Sequence, residues 1–319
     1  MSVAAPIVTL TLNPAVDLST RTQRVEPAHK LRCAAPQLDP GGGGINVARV
    51  VARLGGTVQA FYPAGGPIGE RLGQLLLQEN VTAVGVPIAG DTRESFSVVE
   101  EDSGREYRFV MPGPTLSQAE WRDCLQRTVA AAAGCAFVVA SGSLPPGVPE
   151  DGYGRLARML EPTGARLVLD TSGAALAAGL QAGVYLFKPS LRELQELTGA
   201  SLPDTAARIA ACRALIACGQ AQVVALSLGA AGALLVTASE AWQAPALSVH
   251  VASTVGAGDS FLGGLVLQLA RGASHADAFR TALAASAAAL LKPGTSLCQP
   301  DDLARLLPQV KVSRVDALD

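Results

Sequence analysis

The sequence predicts an α/β protein: a mostly parallel central sheet covered by helices on both faces, with a small β-sheet standing outside it. Three observations predict it. Short apolar runs alternate with helical patterns from end to end, the rhythm of parallel strands joined by crossover helices. Apolar residues make up 49% of the 319 positions and charged residues 16%, enough to bury a sheet on both faces and too apolar for a disordered chain. Two stretches, about 18–38 and 93–111, break the rhythm with extended patterns and supply the outlying sheet.

Ile7 to Leu12 is rich in β-formers and reads as the first strand. Leu18 to Leu38 alternates polar and apolar residues without helical spacing. Ile45 to Leu54 has that spacing and stops at Gly55-Gly56, a helix-end signal. Ser95 to Glu101 and Arg105 to Met111 are extended, and Asp102-Ser103-Gly104 between them predicts a hairpin. Buried strands follow at Phe137 to Ala140, Leu167 to Leu169, Tyr185 to Phe187 and Val223 to Leu228. Helices fall near Gln118 to Ala133, Tyr153 to Leu160, Leu191 to Thr198 and Thr205 to Cys218. Two Ala-rich helices come last, near Ser260 to Ala270 and Ala276 to Leu291. No repeat or low-complexity linker divides the chain, so 1–319 reads as one domain carrying two insertions.

Composition removes several function classes. The net charge of −2 offers no basic excess for a phosphate backbone, so no nucleic-acid partner is expected. Lys30, Lys188, Lys292 and Lys311 are too scattered for a polybasic membrane patch. No window reaches the roughly 18 apolar residues of a membrane helix. The beginning lacks a cationic segment, and Asn13, Pro14 and Asp17 interrupt its apolar run, so no signal peptide is expected. Six cysteines lie apart with no C-x-x-C pair, which argues against zinc and for buried free thiols in a reducing compartment. The expectation is a cytoplasmic enzyme or small-molecule binder.

Five segments sit where chemistry is done. Gly41-Gly42-Gly43-Gly44-Ile45-Asn46 leads into a helix, where glycines let backbone approach a ligand and the helix start offers free N–H groups. Four glycines alone fit a flexible turn equally well. Thr254-Val255-Gly256-Ala257-Gly258-Asp259-Ser260 turns into another helix, whose start carries roughly half a positive charge. That suits charge developing on a transferred phosphoryl group, with Asp259 beside it to accept a proton. Taken alone, Asp259 is more simply a helix-favouring acid. Lys188-Pro189-Ser190-Leu191-Arg192-Glu193, Ser227 to Gly232 and Ser141 to Gly147 each follow a predicted strand, where open α/β sheets bind ligands. No lysine follows a glycine, which excludes a P-loop. Val47 and Phe261 occupy the last position of both G-x-G-x-x-G frames, so a dinucleotide fold is not indicated.

Together these segments resemble the PfkB-type carbohydrate kinases of the ribokinase superfamily. Gly41 to Ala48 followed by Arg49, and Thr254 to Ser260, carry the two family motifs. Asn13-Pro14-Ala15-Val16-Asp17, Lys30-Leu31-Arg32-Cys33, Tyr107 to Gly113 and Ser141 to Gly147 extend the resemblance, which spans Thr9 to about Cys298. It implies a ribokinase-like three-layer α/β/α fold with a β-sheet lid, and a homodimer joined through that lid. The implied reaction is phosphorylation of the C1 hydroxyl of fructose 6-phosphate by ATP, giving fructose 1,6-bisphosphate. Relatives acting on fructose 1-phosphate or tagatose 6-phosphate commonly carry a lysine in the glycine loop, where this chain has Gly43. A non-catalytic sugar-phosphate sensor is the alternative from another class, and the retained Asp259 and glycines argue against it.

The resemblance also implies roles. Asp259 matches the base, and Gly256, Ala257 and Gly258 match the anion hole. Asp17, Gly42, Gly43 and Asn46 match residues holding sugar hydroxyls. Lys30, Arg93, Arg108 and Ser143 match groups near the existing phosphate, a role that suits the planar arginine fork. Lys188, Ser227, Leu228, Gly229, Gly232, Thr254 and Val255 match the ATP site. Glu193 matches a carboxylate holding Mg²⁺ through water, but Ser190 stands where the family often has asparagine. Backbone near Ser253, Val255, Ala289, Lys292, Gly294 and Ser296 matches a monovalent-cation site, expected to take K⁺.

Overall fold

The computed structural model describes residues 6–292 and 294–315. The chain opens with β1 (Ile7–Leu10), β2 (Ala15–Thr22) and β3 (Gln37–Gly41), then α1 (Gly43–Arg53). Next come β4 (Val58–Ala64), α2 (Gly66–Gln78), β5 (Thr82–Pro87), β6 (Arg93–Glu100) and β7 (Glu106–Val110). The middle is α3 (Gln118–Ala131), β8 (Phe137–Ser141), α4 (Gly152–Leu160), β9 (Arg166–Asp170), α5 (Gly173–Leu180), β10 (Val184–Phe187), α6 (Leu191–Thr198) and α7 (Thr205–Ala217). The last part holds β11 (Ala221–Ser227), β12 (Ala233–Thr237), β13 (Ala241–Ala244), α8 (Ala257–Ala270), α9 (His275–Leu290), α10 (Pro300–Leu306) and β14 (Ser313–Arg314).

The central sheet has the order β14-β13-β12-β11-β10-β9-β8-β1-β4-β5. Neighbours from β5 through β11 run parallel, and β12, β13 and β14 are antiparallel. Apolar clusters cover both faces. Val47, Val50, Leu265 and Phe279 pack on one side, and Trp121, Tyr153, Leu194 and Ile209 on the other. This is the three-layer α/β/α arrangement the resemblance implied. The chain leaves β1 toward β4 on one side and returns through β8 on the other, so the order in which it adds parallel strands reverses between β1 and β8. The strand ends at that reversal form the crevice in which open α/β sheets bind ligands.

The outlying sheet has the order β3-β2-β6-β7, with β2 and β6 parallel. Its first insertion is wider than the expected 18–38, because β2 already begins at Ala15 and β3 runs into Gly41. The hairpin between β6 and β7 is present, with Ser97 opposite Arg108 and Phe96 opposite Phe109. The single-domain reading of 1–319 also covers residues 1–5 and 316–319, which lie outside the described residues.

Two expectations need correction. The cysteines are not uniformly buried: Cys124, Cys212 and Cys298 are, while Cys33 and Cys218 are exposed and Cys135 lies between. Cys33 stands on the open lid loop and Cys218 caps the end of α7, positions with nothing packed over them. Helix α8 also starts earlier than Ser260. It begins at Ala257, so Gly258 and Asp259 lie inside its first turn rather than before it.

Candidate active site

Gly256 adopts a left-handed φ of 74° as the residue before α8, a conformation that costs other residues energy. The first N–H groups of α8 have no partner within the helix, and Ser260 N–H closes the first helical bond to Gly256 O over 2.8 Å. Close packing fixes the helix itself. A side chain at Gly263 would strike Val50 of α1, and one at Gly264 would meet Ala285 of α9. That approach brings Asn46, on the first turn of α1, against Asp259. Asn46 Nδ2 donates to Asp259 Oδ2 over 2.8 Å. Burial, with the charges of Asp170 and Asp17, pushes the Asp259 carboxyl up to about 6, while Asn46 and Lys188 pull the other way. An acid with that value is mostly ionised at neutral pH and basic enough to take a proton.

Lys188 follows β10 and forms an ion pair with Asp170 at the end of β9, Nζ to Oδ1 3.1 Å. Burial works against the Lys188 charge, yet Asp170, Asp259 and Glu193 together hold its pKa above the ordinary value. The ammonium also faces α8, since a Cβ built on Gly258 would stand 3.4 Å from Nζ. Asp170 is a site residue that the sequence reading missed. The available signal was an acid closing an apolar strand, Leu167-Val168-Leu169-Asp170, at the end where ligands bind.

Ser190 caps α6 in a reciprocal box with Glu193. Ser190 Oγ accepts from Glu193 N–H at 3.2 Å, and Glu193 Oε2 accepts from Ser190 N–H at 2.7 Å and from its hydroxyl at 2.8 Å. Both bonds fall on Oε2, and Oε1 takes no hydrogen bond from the described residues. A carboxylate with one oxygen uncommitted fits a magnesium ion held through water.

On the lid side, a cavity is lined by Asp17, Ser95, Ser97, Arg108, Val255 and Thr295, among others. Lateral pairing puts Asp17 beside Ser95 and Ser97 beside Arg108, so these four share one lid face. Burial pushes the Asp17 carboxyl up to about 6, against the pull of Arg108, Arg93 and Arg49. Arg93 donates to Asn13 O at 3.0 Å and to Met111 O at 2.9 Å, and its buried Nε is left without a partner. Asn13 Nδ2 donates to Ser143 Oγ at 3.0 Å, which draws Ser143 to the same end. The glycine loop is demanded by these neighbours. A Cβ at Gly41 would overlap the Asp17 carboxylate, and one at Gly43 would overlap Ser141 Oγ. Gly42 has φ 112° and lies against Thr11. Lys30 stands exposed on the lid loop and lines none of the described cavities.

On the far side of the Gly256–Gly258 turn lies a second cavity of about 240 Å³. Lys188, Ser227, Gly229, Gly232, Gly258 and Leu283 are among its lining residues. Leu228 is not; its side chain packs against the apolar cluster beneath. Thr254 is exposed and lies outside both cavities, and Val255 lines the lid-side cavity instead. Ser227 Oγ donates to Pro189 O at 3.3 Å, tying the β11 end to the Lys188 loop. The segments around Ser253 and Ala289 are neighbours, since Ala252 N–H donates to Leu290 O over 2.8 Å. Around Ser296 the carbonyl already accepts from Arg53 and from Gln299 Nε2, so its lone pairs are turned to protein donors rather than to a cation.

Known proteins share this architecture. The family described as pfkB family carbohydrate kinase matches residues 7–302. The ATP-dependent 6-phosphofructokinase isozyme 2 of Mycobacterium tuberculosis (strain ATCC 25618 / H37Rv) is 47% identical over 299 residues, covering 94% of this chain and 88% of that protein. The 1-phosphofructokinase of Escherichia coli (strain K12) is more distant, 34% identical over 304 residues, covering 95% and 97%. A crystal structure of phosphofructokinase-2 from Escherichia coli in complex with potassium superposes with TM-score 0.91 at 42% identity, covering 96% of this chain and 99% of that one. The same enzyme in complex with fructose-6-phosphate gives TM-score 0.90 at 40% identity, with the same coverage.

Proposed function

The chain belongs to the pfkB family of carbohydrate kinases, and we propose that it is an ATP-dependent 6-phosphofructokinase, phosphorylating the C1 hydroxyl of fructose 6-phosphate to give fructose 1,6-bisphosphate. One observation carries the reading. The Gly256–Gly258 turn, which leads into Asp259, is flanked through Val255 by the lid-side pocket of Asp17 and Arg108, only about 20 Å³ in this lid position, and through Ala257 and Gly258 by the cavity of about 240 Å³ lined by Lys188, Ser227 and Gly232. With the lid moved outward to admit a sugar phosphate on the first side, that sugar phosphate would meet a nucleotide on the second at the start of α8.

MgATP, when bound, supplies the phosphoryl group and the metal that shields its charge. The chain's own residues do the rest. Asp259 accepts the proton of the sugar hydroxyl, while the N–H groups of Gly256, Ala257 and Gly258 donate to developing oxygen charge. Lys188 adds a cation beside that turn. Asp17, Gly42, Gly43 and Asn46 orient the sugar, and Arg93, Arg108 and Ser143 pair its existing phosphate. Glu193 holds magnesium through water, with Asp170 near it. A K⁺ site formed by backbone of Ser253, Val255, Ala289, Lys292 and Gly294 is part of the proposal. Positioning and fixed dipoles supply most of the rate in such transfers.

The lid excludes water. It reaches the nucleotide side through Glu106, which accepts from Ser253 Oγ at 3.4 Å. The opposite lid face carries Leu18, Phe96 and Phe109, and there we expect a second copy to dock, giving a homodimer. A cytoplasmic location is the matching expectation for an enzyme with six free cysteines. Among the described residues no helix is long and apolar enough to cross a membrane.

A specific observation favours this sugar over fructose 1-phosphate. Ser141 Oγ fills the space in which a side chain at Gly43 would begin, so a lysine there would have to turn the Ser141 hydroxyl aside and press on Ser141 Cβ and Gly142 N. ADP release from MgATP should be measured with fructose 6-phosphate, fructose 1-phosphate, tagatose 6-phosphate and ribose side by side. Preferred turnover of fructose 6-phosphate is expected. Preference for another sugar would overturn the substrate assignment, and no turnover with any would overturn the kinase reading.

A further inference from the structure

Among the described residues, Arg49 is the largest side chain entirely shut off from solvent. It sits one turn after Asn46 on α1, and every nitrogen of its guanidinium is engaged. Nε donates to Glu79 Oε1 at 2.9 Å, and Nη2 donates to the same oxygen. Nη1 donates to Pro40 O at 2.9 Å and to Asn46 Oδ1 at 3.2 Å. Asp39 lies 3.5 Å from Nη2. Burial works against the Glu79 charge, but bonds and charges from Arg49 and Arg53 more than offset it and keep its pKa below the usual range. Arg53, one further turn along α1, holds Glu79 Oε2 at 2.6 Å.

The consequence lies in the symmetry of an amide. The two ends of Asn46 are nearly the same shape, and a flip would exchange its oxygen and its nitrogen. A guanidinium only donates, so the amide end facing Arg49 must be the oxygen. The NH₂ must then face Asp259. If the amide flipped, its oxygen would meet the carboxylate, and Asp259 would need a proton to restore a hydrogen bond. We propose that Arg49, anchored by Glu79, is a positioning residue that fixes the direction of the Asn46 amide and thereby keeps Asp259 in its proton-accepting form. The inference rests on Asp259 being the base of the proposed reaction. Asn46 is the neutral donor in this arrangement. The charged groups bearing on Asp259 from other elements are Asp17 on β2, Asp170 at the end of β9 and Lys188 after β10.

The chain has three asparagines, Asn13, Asn46 and Asn80, so ¹⁵N labelling of asparagine side chains gives three amide signals. Asn13→Gln and Asn80→Gln assign them by removal. In the unmodified protein the Asn46 signal is expected to titrate with Asp259 and to lose that titration in Asp259→Asn. Arg49→Lys keeps the positive charge beside Glu79 but loses the fork that reaches both partners. In this variant the midpoint should rise by roughly 0.5–1 pH unit, the shift equivalent to one ordinary hydrogen bond. The acid limb of kcat should rise with it, and activity should recover at higher pH. An Asn46 signal indifferent to pH would overturn the proposal. So would an unmoved midpoint with a rate lowered equally at every pH, because a purely structural role predicts that pattern. Should Arg49→Lys not fold, Arg49→Met with Glu79→Gln removes both buried charges together, and the same rise or its absence decides. The titration is read without substrate, so it stands or falls separately from the sugar assay.

Discussion

Lys188 Nζ lies 3.1 Å from Asp170 Oδ1 while facing Gly258 in the first turn of α8, so one ammonium neighbours both a strand-end acid and the turn proposed to receive phosphoryl charge. The pair is nearly shut off from water, with side chains 11% and 17% exposed. Removing one partner of such a pair leaves a charge without compensation, whereas removing both does not. Lys188→Met is therefore expected to cost about 3 kcal/mol in stability. Adding Asp170→Asn should recover much of that loss by thermal unfolding without recovering kcat. A double variant with restored turnover would show that Lys188 matters only for folding.

Asp259 and Asp17 are both raised to about 6, each mainly by burial. A raised carboxyl is ionised mostly above its own value, so Asp259 would be competent as the proposed base above about pH 6, and that competence would be lost as pH falls through it. With saturating sugar phosphate, kcat should drop below that point, more steeply than one proton requires because Asp17 loses charge over the same range. Asp259→Asn should lower kcat roughly 10²–10⁴-fold and leave only the shallower part of the limb that Asp17 contributes, with little change in ATP affinity. A native rate held down to pH 5 would contradict the assignment of the base.

Local demands were readable in the sequence, and long-range partnerships were not. Gly256 and Asp259 stood out because a left-handed turn and a helix start each leave a mark on neighbouring residues. Asp170 and Arg49 gain their importance from Lys188 and Glu79, which lie on other elements and share no spacing with them. Helix α2 went unread because Gly66, Gly69 and Gly73 interrupt its pattern. Strand β5 carries Gly85 and Pro87, tolerable only because it is the sheet edge. Leu228, which the resemblance placed with Ser227 and Gly229 at the nucleotide site, leans its half-buried side chain on the apolar cluster beneath.

Arg93 joins the lid to the body through Asn13 O and Met111 O, yet its buried Nε has no protein partner. In the proposed complex a phosphate oxygen would satisfy that donor. Arg93→Ala should raise KM for the sugar phosphate roughly 10–100-fold, the range for a hydrogen bond to a charged group. KM for ATP should stay near its native value. An unchanged sugar KM would remove Arg93 from the phosphate site.

Ser190 both caps α6 and holds Glu193 Oε2, so its hydroxyl is committed to the helix rather than to a metal. Asparagine is an equally good cap with a longer reach. Ser190→Asn should leave thermal stability near native and lower the Mg²⁺ concentration needed for half-maximal rate. Ser190→Ala, by contrast, should cost about 1 kcal/mol through loss of the cap. An Mg²⁺ dependence identical in Ser190→Asn and the native protein would show that position 190 does not tune the metal.

Phe96 and Phe109 stack with ring centroids 4.8 Å apart on the lid face opposite Asp17. They remain 38% and 45% exposed, two large apolar rings side by side on a four-stranded sheet. A second lid is the surface that would cover them in the proposed dimer. Phe109→Glu puts a charge on each side of that contact, where like charges repel. In one isolated subunit the substitution costs little, because the position is already half open to water. Sedimentation should therefore show a monomer in place of a dimer, with thermal stability of the subunit retained. The sugar-phosphate KM should rise as well, since β7 carries Arg108 on its other face. Unchanged sedimentation would mean that the subunits meet elsewhere or not at all.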